Sequence, residues 1–439
     1  MKAFTEPLLS LVGFEEMTKT AEKSSGLISV TGCIDAQKSQ MIYAFGGHRK
    51  NKLIVTFGEQ KAKELYDEYS FFDKEVVYYP SKDVLFYQSD IRGNLLTAER
   101  IRALKAIREQ ERVTLVTTFD ALMNTMAPIE KMWENVLTLE QGQLLDLKEI
   151  QAALIRMGYE KEYQVQTMGQ FSVRGGILDV FPLTEENPIR IELWGDEIDT
   201  IRYFDCESQK SIENTDRVSI YPAAELVLSD EEKAGGIDKL KAEAKRVSDK
   251  LRKQMKTEEA HRVTVMADEL TEEWGELSMY AGMDAFLSYF FDERVGILDY
   301  FNPSDSLIFF DELTRCVEQG KLTETEFSES MKQRLAMGYI LPGQMNGLFT
   351  EKEIVAKLEK YSCIALGALD NKANGLRQLG SYGIHCQSVS PYNNSFELLI
   401  KDLKRYKKNG YRVILLSGSR TRAKRLSEDI TDQGITCFY

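Results

Sequence analysis

The sequence predicts an α/β fold in which a parallel-sheet domain is split by an inserted β-rich domain and followed by a small α/β domain. Strands alternate with helices over residues 1–127 and again over 355–439, and this alternation is typical of parallel sheets. Residues 128–225 instead contain short, aromatic-rich strands separated by glycine, asparagine and proline turns. A chain of 439 residues is also too long for one ordinary hydrophobic core.

The individual elements follow from hydrophobic periodicity. In the first segment we expect strands at residues 28–31, 52–56, 75–79 and 113–118, and helices at 39–45, 59–69 and 95–110. In the β-rich segment we expect strands at 170–174, 177–182, 189–194 and 199–204. Long charged helices should cover 230–277, and an apolar strand should occupy 413–416 between two basic helices.

The charge and the cysteines exclude several classes of protein. A net charge of −13 argues against a surface that coats nucleic acid generally. The six cysteines have no CxxC spacing, so no metal site and no disulfide framework are indicated, and a reducing cytoplasm is the expected compartment. The sequence contains no run of eighteen apolar residues, so we expect no association with a membrane.

Residues 32–39 resemble a phosphate-binding P-loop in which one glycine is replaced. Such a loop reads G-x-x-x-x-G-K-[ST]; Gly32, Lys38 and Ser39 hold the expected spacing. Gln37 occupies the second glycine position, where a side chain crowds the phosphate and restricts a backbone that must turn its N–H groups inward. The pattern predicts a nucleotide site that has lost its function, although such spacings also arise by chance.

A second apolar strand, at residues 307–310, ends in Asp311 and Glu312. This is the form of the Walker B strand, which holds Mg²⁺ in nucleotide hydrolases. The alternative is a strand whose polar end caps the next helix. If both motifs belong to one domain, their separation in the sequence requires an insertion between them.

A basic segment lies near the end of the chain. Residues 401–425 contain ten basic residues and one acidic residue. Such charges usually form solvated faces of helices, and this interpretation stays open beside a phosphate-binding one. The possible phosphate contacts are Lys404, Arg405, Lys407, Lys408, Arg420 and Arg422.

Two runs in the β-rich segment carry a resemblance to a known family. GQFSVRGGILDVFP at 169–182 and PIRIELWGDEID at 188–199 are similar to the UvrB-homology module, which the excision-repair helicase UvrB shares with the Mfd family of transcription-repair coupling factors. Gln37 favours the Mfd family, because UvrB keeps an intact P-loop. The link from 79 to 95 is short for UvrB's long β-hairpin, and residues 398–405 and 410–415 resemble the third domain of Mfd.

The resemblance covers nearly the whole chain and implies how it is divided. Residues 1–127 and 226–345 would form the two parts, 1A and 1B, of a RecA-like domain, with Asp311 and Glu312 on its Walker B strand. Residues 128–225 would form the inserted domain 2, and 355–439 domain 3. The family continues into an RNA-polymerase-interaction domain and an ATP-driven translocase on duplex DNA. We therefore expect an N-terminal fragment without a cofactor, from a parent that uses ATP and Mg²⁺.

The resemblance also implies a partner. Domain 2 of the family binds UvrA, the damage sensor of excision repair, and the family motif puts the contacting residues at Arg174, Arg190 and Trp194. Arginine and aromatic residues are the types that dominate interface hot spots. Because Arg190 and Trp194 lie at i and i+4 of one strand, we expect both to project from the same face, away from the core. The alternative is an exposed tryptophan with two solvated arginines.

Three functions stay open from the sequence. The first is a non-catalytic module that recruits UvrA to stalled RNA polymerase and restrains the missing translocase through intramolecular contact. The second is an active or partly active UvrB-like ATPase or damage-binding module that tolerates Gln37. The third is a DNA-binding module that uses residues 401–425. The lost glycine argues against the second and the acidic net charge against the third, so we favour the first.

Overall fold

The computed structural model describes residues 2–11, 13–45, 49–82, 93–276, 283–369 and 375–439. The chain forms two compact units, Met1–Cys386 and Gln387–Tyr439. Among the described residues, no helix is long and apolar enough to cross a membrane.

The strands and helices have the following bounds. The strands are β1 (Gly26–Thr31), β2 (Asn51–Thr56), β3 (Val77–Tyr79), β4 (Thr114–Thr118), β5 (Leu137–Glu140), β6 (Glu160–Lys161), β7 (Gln170–Arg174), β8 (Ile177–Val180), β9 (Ile189–Trp194), β10 (Glu197–Phe204), β11 (Ser211–Thr215), β12 (Arg217–Ile220), β13 (Ser306–Asp311), β14 (Ser362–Leu366) and β15 (Gln378–Gly383). The helices are α1 (Lys2–Leu9), α2 (Phe14–Lys23), α3 (Asp35–Phe45), α4 (Glu59–Tyr69), α5 (Gly93–Glu109), α6 (Phe119–Met123), α7 (Ile129–Glu134), α8 (Leu147–Arg156), α9 (Asp230–Lys253), α10 (Thr257–Glu276), α11 (Leu287–Phe290), α12 (Leu313–Ala336), α13 (Glu351–Leu358), α14 (Phe396–Lys408) and α15 (Arg420–Asp432). Short 3-10 helices cover Met283–Phe286, Ile297–Tyr300 and Pro342–Asn346.

The first unit is built around a seven-stranded parallel sheet with the order β15-β1-β14-β13-β2-β4-β3. Strand β13 lies between β2 and β14, and all six of its residues are buried. A strand covered on both faces needs apolar side chains on both, which explains the apolar run at residues 307–310 between Ser306 and Asp311. Because β5 to β12 come between β4 and β13 in the chain, the sheet is completed only after an insertion. The predicted split α/β fold is confirmed.

The insertion is a β-rich domain with two sheets. Six strands run in the order β11-β10-β9-β8-β7-β6, and β12 pairs with β5 in a separate ribbon. On one face of the larger sheet, Leu154 of α8 is buried in a cluster with Phe171, Leu178 and Ile191. Alternation along each strand therefore directs the intervening residues to the opposite face of the sheet, which is polar.

A helical hairpin, α9 and α10, connects the inserted domain to β13. Helix α9 begins with a capping box, in which Ser229 Oγ accepts from the Glu232 N–H and the Glu232 carboxylate accepts from the Ser229 N–H. The apolar side of the hairpin surrounds Trp274, whose ring packs edge-on against Phe286 with centroids 5.0 Å apart. The long charged helices predicted from the sequence are therefore present.

The predicted start of domain 3 at residue 355 is too early. Strand β14 pairs with β1 and β13, and β15 pairs with β1, so both strands belong to the large sheet. The second unit begins only at Gln387. The short link from 79 to 95 was the basis for predicting that a UvrB-type hairpin is absent. Most of that link, residues 83–92, lies outside the described residues.

The second unit consists of α14 and α15, packed through Ile400, Leu403 and Ile430. The strand predicted at 413–416 is not formed, and its four apolar side chains are exposed. A strand satisfies its backbone by pairing with a neighbour, and residues 387–439, all of them described, contain no other strand. The apolar pattern was sound evidence of strand propensity, but pairing decides whether a strand forms.

A buried ion pair lies where the chain leaves the inserted domain, and it joins that point to helix α5. Arg100 on α5 is fully buried, and its Nε and Nη2 donate to the two carboxylate oxygens of Glu225 at 2.6 and 3.0 Å. Its Nη1 donates to the carbonyl of Pro80 at 2.7 Å. Lys82 Nζ lies 3.0 Å from the same carboxylate. Because Arg100 and Lys82 precede the insertion and Glu225 follows β12, the cluster joins its two ends.

We expect this cluster to make the stability of the protein sensitive to acid. Burial raises the pKa of Glu225, but the charges of Arg100 and Lys82 outweigh burial and hold it below its usual value. Its contribution is therefore complete above the unfolded glutamate pKa of about 4.3 and is lost as the pH falls through the lower folded pKa. Glu225→Gln should lower the free energy of unfolding by about 3 kcal/mol at pH 7, because it leaves Arg100 without its charge partner.

Urea melts of wild type and Glu225→Gln at pH 7, 5 and 3.5 test this expectation. The difference between the two proteins should shrink at the lowest pH, where the Glu225 carboxylate of the unfolded wild-type chain is largely protonated while that of the folded chain is still charged. The exposed Glu186 supplies the control, since Glu186→Gln should match wild type at each pH. A difference that stays constant down to pH 3.5 contradicts the assignment.

Candidate functional site

The polar face of the six-stranded sheet brings Arg174, Arg190 and Trp194 together. The strand register sets Arg174 opposite Ile177 and Asp179 opposite Arg190. Residues directly opposite one another share a face, as do residues two apart on one strand. All three residues therefore project from the same side of the sheet, as the alternation along β9 predicted for Arg190 and Trp194.

The two arginines share one buried carboxylate. Arg174 Nη2 donates to Asp179 Oδ2 at 2.7 Å. Arg190 Nε and Nη2 donate to Asp179 Oδ1 and Oδ2 at 2.7 and 2.8 Å. The Asp179 side chain is only 1% exposed, and a buried carboxylate without such partners costs several kcal/mol. Sequence reasoning missed Asp179, although an acidic residue inside the apolar strand β8 was a usable signal.

The arginines differ in how far they reach solvent. Arg190 is 12% exposed, its guanidinium lies 4.3 Å from the centroid of the Phe204 ring, and its Nη2 also donates to Gln209 Oε1 at 2.8 Å. The hydrogen bond to Asp179 raises the pKa of Arg190, against the opposing effect of burial. Arg174 is 34% exposed. Arg190 therefore lies on the predicted face of the sheet, but as a packed side chain and not a solvated one.

Trp194 is a highly exposed residue on this face. Its side chain is 84% exposed at the end of β9, directly before the turn at Gly195, whose φ is +65°. Beside it lies an open concavity of about 620 Å³. An exposed indole next to a concave surface is the type of feature through which proteins recognise partners. The lining residues include Glu140, Glu197, Asp199, Asp216 and Arg217.

The segment predicted as a P-loop, residues 32–39, follows β1 and runs into α3, whose first turns contain Gln37, Lys38 and Ser39. Gly32 has a φ of +78°, and a Cβ there would lie 2.1 Å from the carbonyl oxygen of Ile384, so only glycine fits. The N–H groups of Gly32 and Cys33 donate to the carbonyls of residues 368 and 367 at 3.2 and 3.1 Å. The Gln37 N–H, at the position of the replaced glycine, donates to the carbonyl of residue 34 at 2.9 Å. These backbone donors are therefore bound within the protein.

Lys38 is buried and surrounded by carboxylates. Its Nζ donates to Asp311 Oδ1, to Asp35 Oδ1 at 2.8 Å and to Glu312 Oε1 at 3.1 Å. Burial lowers the pKa of Lys38, but the nearby carboxylates, with Asp311 the strongest, outweigh burial and raise it. An ammonium group has three N–H donors, and all three point at protein carboxylates here. Asp311 also accepts from Thr56 Oγ1 at 2.8 Å.

The other predicted residues of this site bond to the protein as well. Gln37 Oε1 accepts from Cys386 Sγ at 2.7 Å, and Ser39 Oγ donates to Glu68 Oε2 at 3.2 Å. Sequence reasoning missed Asp35, which stands at the fourth position of the loop, where a carboxylate would repel a phosphate. The hydrogen bond from Lys38 lowers the pKa of Asp35 despite partial burial.

The six predicted phosphate contacts lie on α14 and α15, and all of them are exposed. Arg405 Nη2 pairs with Asp402 at 2.9 Å, and the cations in the last turn of α14 complement the helix dipole. These features are those of solvated helix faces. A phosphate role for Lys404, Arg405, Lys407, Lys408, Arg420 and Arg422 stays a prediction.

The inserted domain matches a known family. Residues 137–226, from the first residue of β5 to the segment just after β12, match the model of the UvrB interaction domain. The polar face with Arg174, Arg190 and Trp194 lies inside this match. The resemblance inferred from residues 169–182 and 188–199 is confirmed.

Beyond that domain, the chain is similar along most of its length to transcription-repair-coupling factors. It is 26% identical to the protein of Bacillus subtilis (strain 168) over 384 residues, which cover 87% of this chain and 32% of that protein. It is 25% identical to the Staphylococcus haemolyticus protein over 418 residues, which cover 93% of this chain and 34% of that protein. It is 26% identical to the Staphylococcus aureus (strain MRSA252) protein over 435 residues, which cover 96% of this chain and 35% of that protein. The chain thus spans about a third of the length of these relatives.

We expect Arg190 to be a structural residue as well as a surface one. Arg190→Ala leaves the buried Asp179 with Arg174 alone, and should lower the free energy of unfolding by about 3 kcal/mol. Trp194→Ala should change it by less than about 0.5 kcal/mol, because the indole is exposed. Adding Asp179→Asn to Arg190→Ala should restore part of the loss by removing the buried charge. Urea melts of the four proteins measure this, and equal stability of Arg190→Ala and wild type would refute the assignment.

Proposed function

We propose that this chain is a non-catalytic docking module that recruits UvrA in transcription-coupled repair. The observation that carries the proposal is the match of residues 137–226 to the UvrB interaction domain, in a domain whose polar face presents Trp194. The similarity to transcription-repair-coupling factors over most of the chain supports the same role.

The proposed contact has a rigid part and an exposed part. Asp179 holds Arg174 and Arg190 in fixed positions, so little side-chain entropy is lost when a partner binds. Arg174 is partly exposed and can extend its remaining donors toward a partner carboxylate. Trp194 supplies apolar area that a partner can cover. In this arrangement Trp194 is the main anchor, and Arg190 acts by positioning its neighbours.

We also propose that the segment 32–39 does not bind nucleotide in this chain. A P-loop lysine must reach a phosphate, whereas all three donors of Lys38 are directed to Asp311, Asp35 and Glu312. A Mg²⁺ ion would have to compete with Lys38 for Asp311. The residues present therefore fit a nucleotide poorly, which favours the docking module over the alternative of an active UvrB-like ATPase.

We propose that the other functions of these relatives would belong to a longer protein that includes this chain. Because the chain spans about a third of its relatives, an ATP-driven translocase on duplex DNA and a contact with RNA polymerase would lie in segments beyond the similarity. In that protein we propose that the docking domain is masked by intramolecular contact until UvrA is needed. A cytoplasmic location accords with these partners.

The docking proposal predicts a specific loss of UvrA binding in Trp194→Ala. Truncating a tryptophan anchor should weaken binding by roughly 2–4 kcal/mol, or ~30-fold to several hundred-fold, while Trp194→Phe should be mild. Tyr163 supplies a matched control, because it is another aromatic that is 84% exposed in the same domain. Tyr163→Ala should bind like wild type. Isothermal titration of each purified chain into UvrA provides the measurement.

Arg174→Ala separates the two parts of the contact. It should weaken UvrA binding while lowering the melting temperature less than Arg190→Ala, because Arg190 keeps both oxygens of Asp179. Wild-type affinity in both Trp194→Ala and Arg174→Ala refutes docking on this face. Binding by Tyr163→Ala that is as weak as that of Trp194→Ala would show a non-specific loss instead.

The nucleotide proposal predicts that Mg-ATP binds negligibly, and Lys38→Ala distinguishes the two roles of this lysine. In a working P-loop the change removes nucleotide binding and leaves the fold intact. Here it should destabilise the protein by about 3 kcal/mol or more, because three carboxylates lose their cation. Isothermal titration with Mg-ATP and urea melts check both points. Micromolar ATP affinity in wild type, lost in a fully stable Lys38→Ala, would instead favour the ATPase.

A further inference from the structure

A second large apolar side chain is exposed beside Trp194. Leu144, between β5 and α8, is 74% exposed and forms an isolated antiparallel bridge with Glu197. Glu197 is in turn the register partner of Trp194 across β9 and β10. Residues directly opposite one another share a face, so Trp194, Glu197 and Leu144 form one row. Two strand spacings separate the two apolar side chains, which is roughly 10 Å.

The backbone holds this row in place. The Gly142 N–H donates to the Ile198 carbonyl at 2.8 Å, and the Leu145 N–H donates to the Asp196 carbonyl at 2.7 Å. The Leu145 side chain is buried in the core of the domain. Leu144 therefore lies between Gly142 and Leu145, whose backbone N–H groups are both hydrogen-bonded, and its own side chain points outward.

The charges around the row are mostly negative. Glu140, Glu197, Asp199 and Asp216 line the concavity beside Trp194. Arg217 also lines it, with its Nε 3.3 Å from Glu140 Oε1. Such a field disfavours phosphates and acidic peptides and attracts cationic side chains. Charge complementarity therefore selects a basic protein segment rather than nucleic acid.

We propose that Leu144, Trp194 and the acidic concavity form one docking surface, which accepts a partner segment with an apolar side chain flanked by lysine or arginine. This inference rests on the proposed docking function and adds the chemistry of the segment that binds. The partner's apolar side chain covers Trp194 and Leu144, and its cations enter the concavity between Glu140 and Glu197. The arginines on the same face then contact a carboxylate elsewhere on the partner. The surface therefore binds basic groups in the concavity and an acidic group at the arginines.

Two variants test the surface, with purified UvrA as the probe and the full chain as the titrant. Leu144→Ala should weaken binding about tenfold, because the partner no longer covers a leucine side chain. The double change Glu197→Lys with Asp199→Lys should weaken binding by more than tenfold at low salt, and the loss should shrink as salt rises. The double change Glu160→Lys with Glu162→Lys, at two exposed acidic positions in and beside the edge strand β6, alters the net charge equally; it is the matched control and should bind like wild type. Thermal melts of all variants should match wild type.

The outcomes separate this inference from the function on which it rests. If Trp194→Ala loses binding while Leu144→Ala and the charge reversal match wild type, the extended surface is overturned and docking at Trp194 stands. If Trp194→Ala also binds like wild type, the docking function itself fails. If the charge reversal binds more tightly than wild type, the occupant is acidic and the proposed chemistry is wrong. If the reversal at Glu197 and Asp199 binds no more weakly than the reversal at Glu160 and Glu162, the concavity has no local role in binding.

Discussion

The return of the chain to the middle of the large sheet is the constraint on which the structure depends. Strand β13 fills the space between β2 and β14, yet it follows the whole inserted domain and the helical hairpin in the sequence. A central strand of a parallel sheet is paired on both edges and buried on both faces, so its absence would open the core. The buried pair Arg100–Glu225 holds the chain where it leaves the inserted strands. Lys38 binds Asp311 at the end of β13.

Lys38 and Asp179 are both buried charges that are stabilised by ion pairs, but the two clusters differ in composition. At both Lys38 and Asp179, a buried charge is balanced by opposite charges from neighbouring elements. Around Lys38 three carboxylates enclose one ammonium, and the site is closed to further ligands. Around Asp179 two guanidinium groups share one carboxylate, which leaves excess positive charge at the surface. Lys38 thus has no donor left for a further ligand, whereas the partly exposed Arg174 keeps donors that a partner could use.

The polar face of the inserted domain therefore has side chains that are already held in position. Its arginines are held by Asp179 and by the Phe204 ring, and its strands fix Trp194 beside the acidic concavity. A partner that binds here meets side chains already in position, so binding loses little conformational entropy. The proposed recognition role would therefore be coupled to stability at Arg190 and largely separate from it at Trp194, whose indole is exposed.

The sequence by itself determined the fold class, the split of the parallel sheet and the face that carries Arg174, Arg190 and Trp194. Those features follow from local periodicity, which fixes side-chain direction, and from a long motif with specific residues. Tertiary structure alone decided that Asp179 holds both arginines, that Asp35 and Glu312 enclose Lys38, and that Glu225 meets Arg100. It also decided that β14 and β15 join the large sheet and that residues 413–416 form no strand. The physical reason is that ion pairs and strand pairing join residues distant in the sequence, and periodicity carries no information about which partner a side chain or strand will meet.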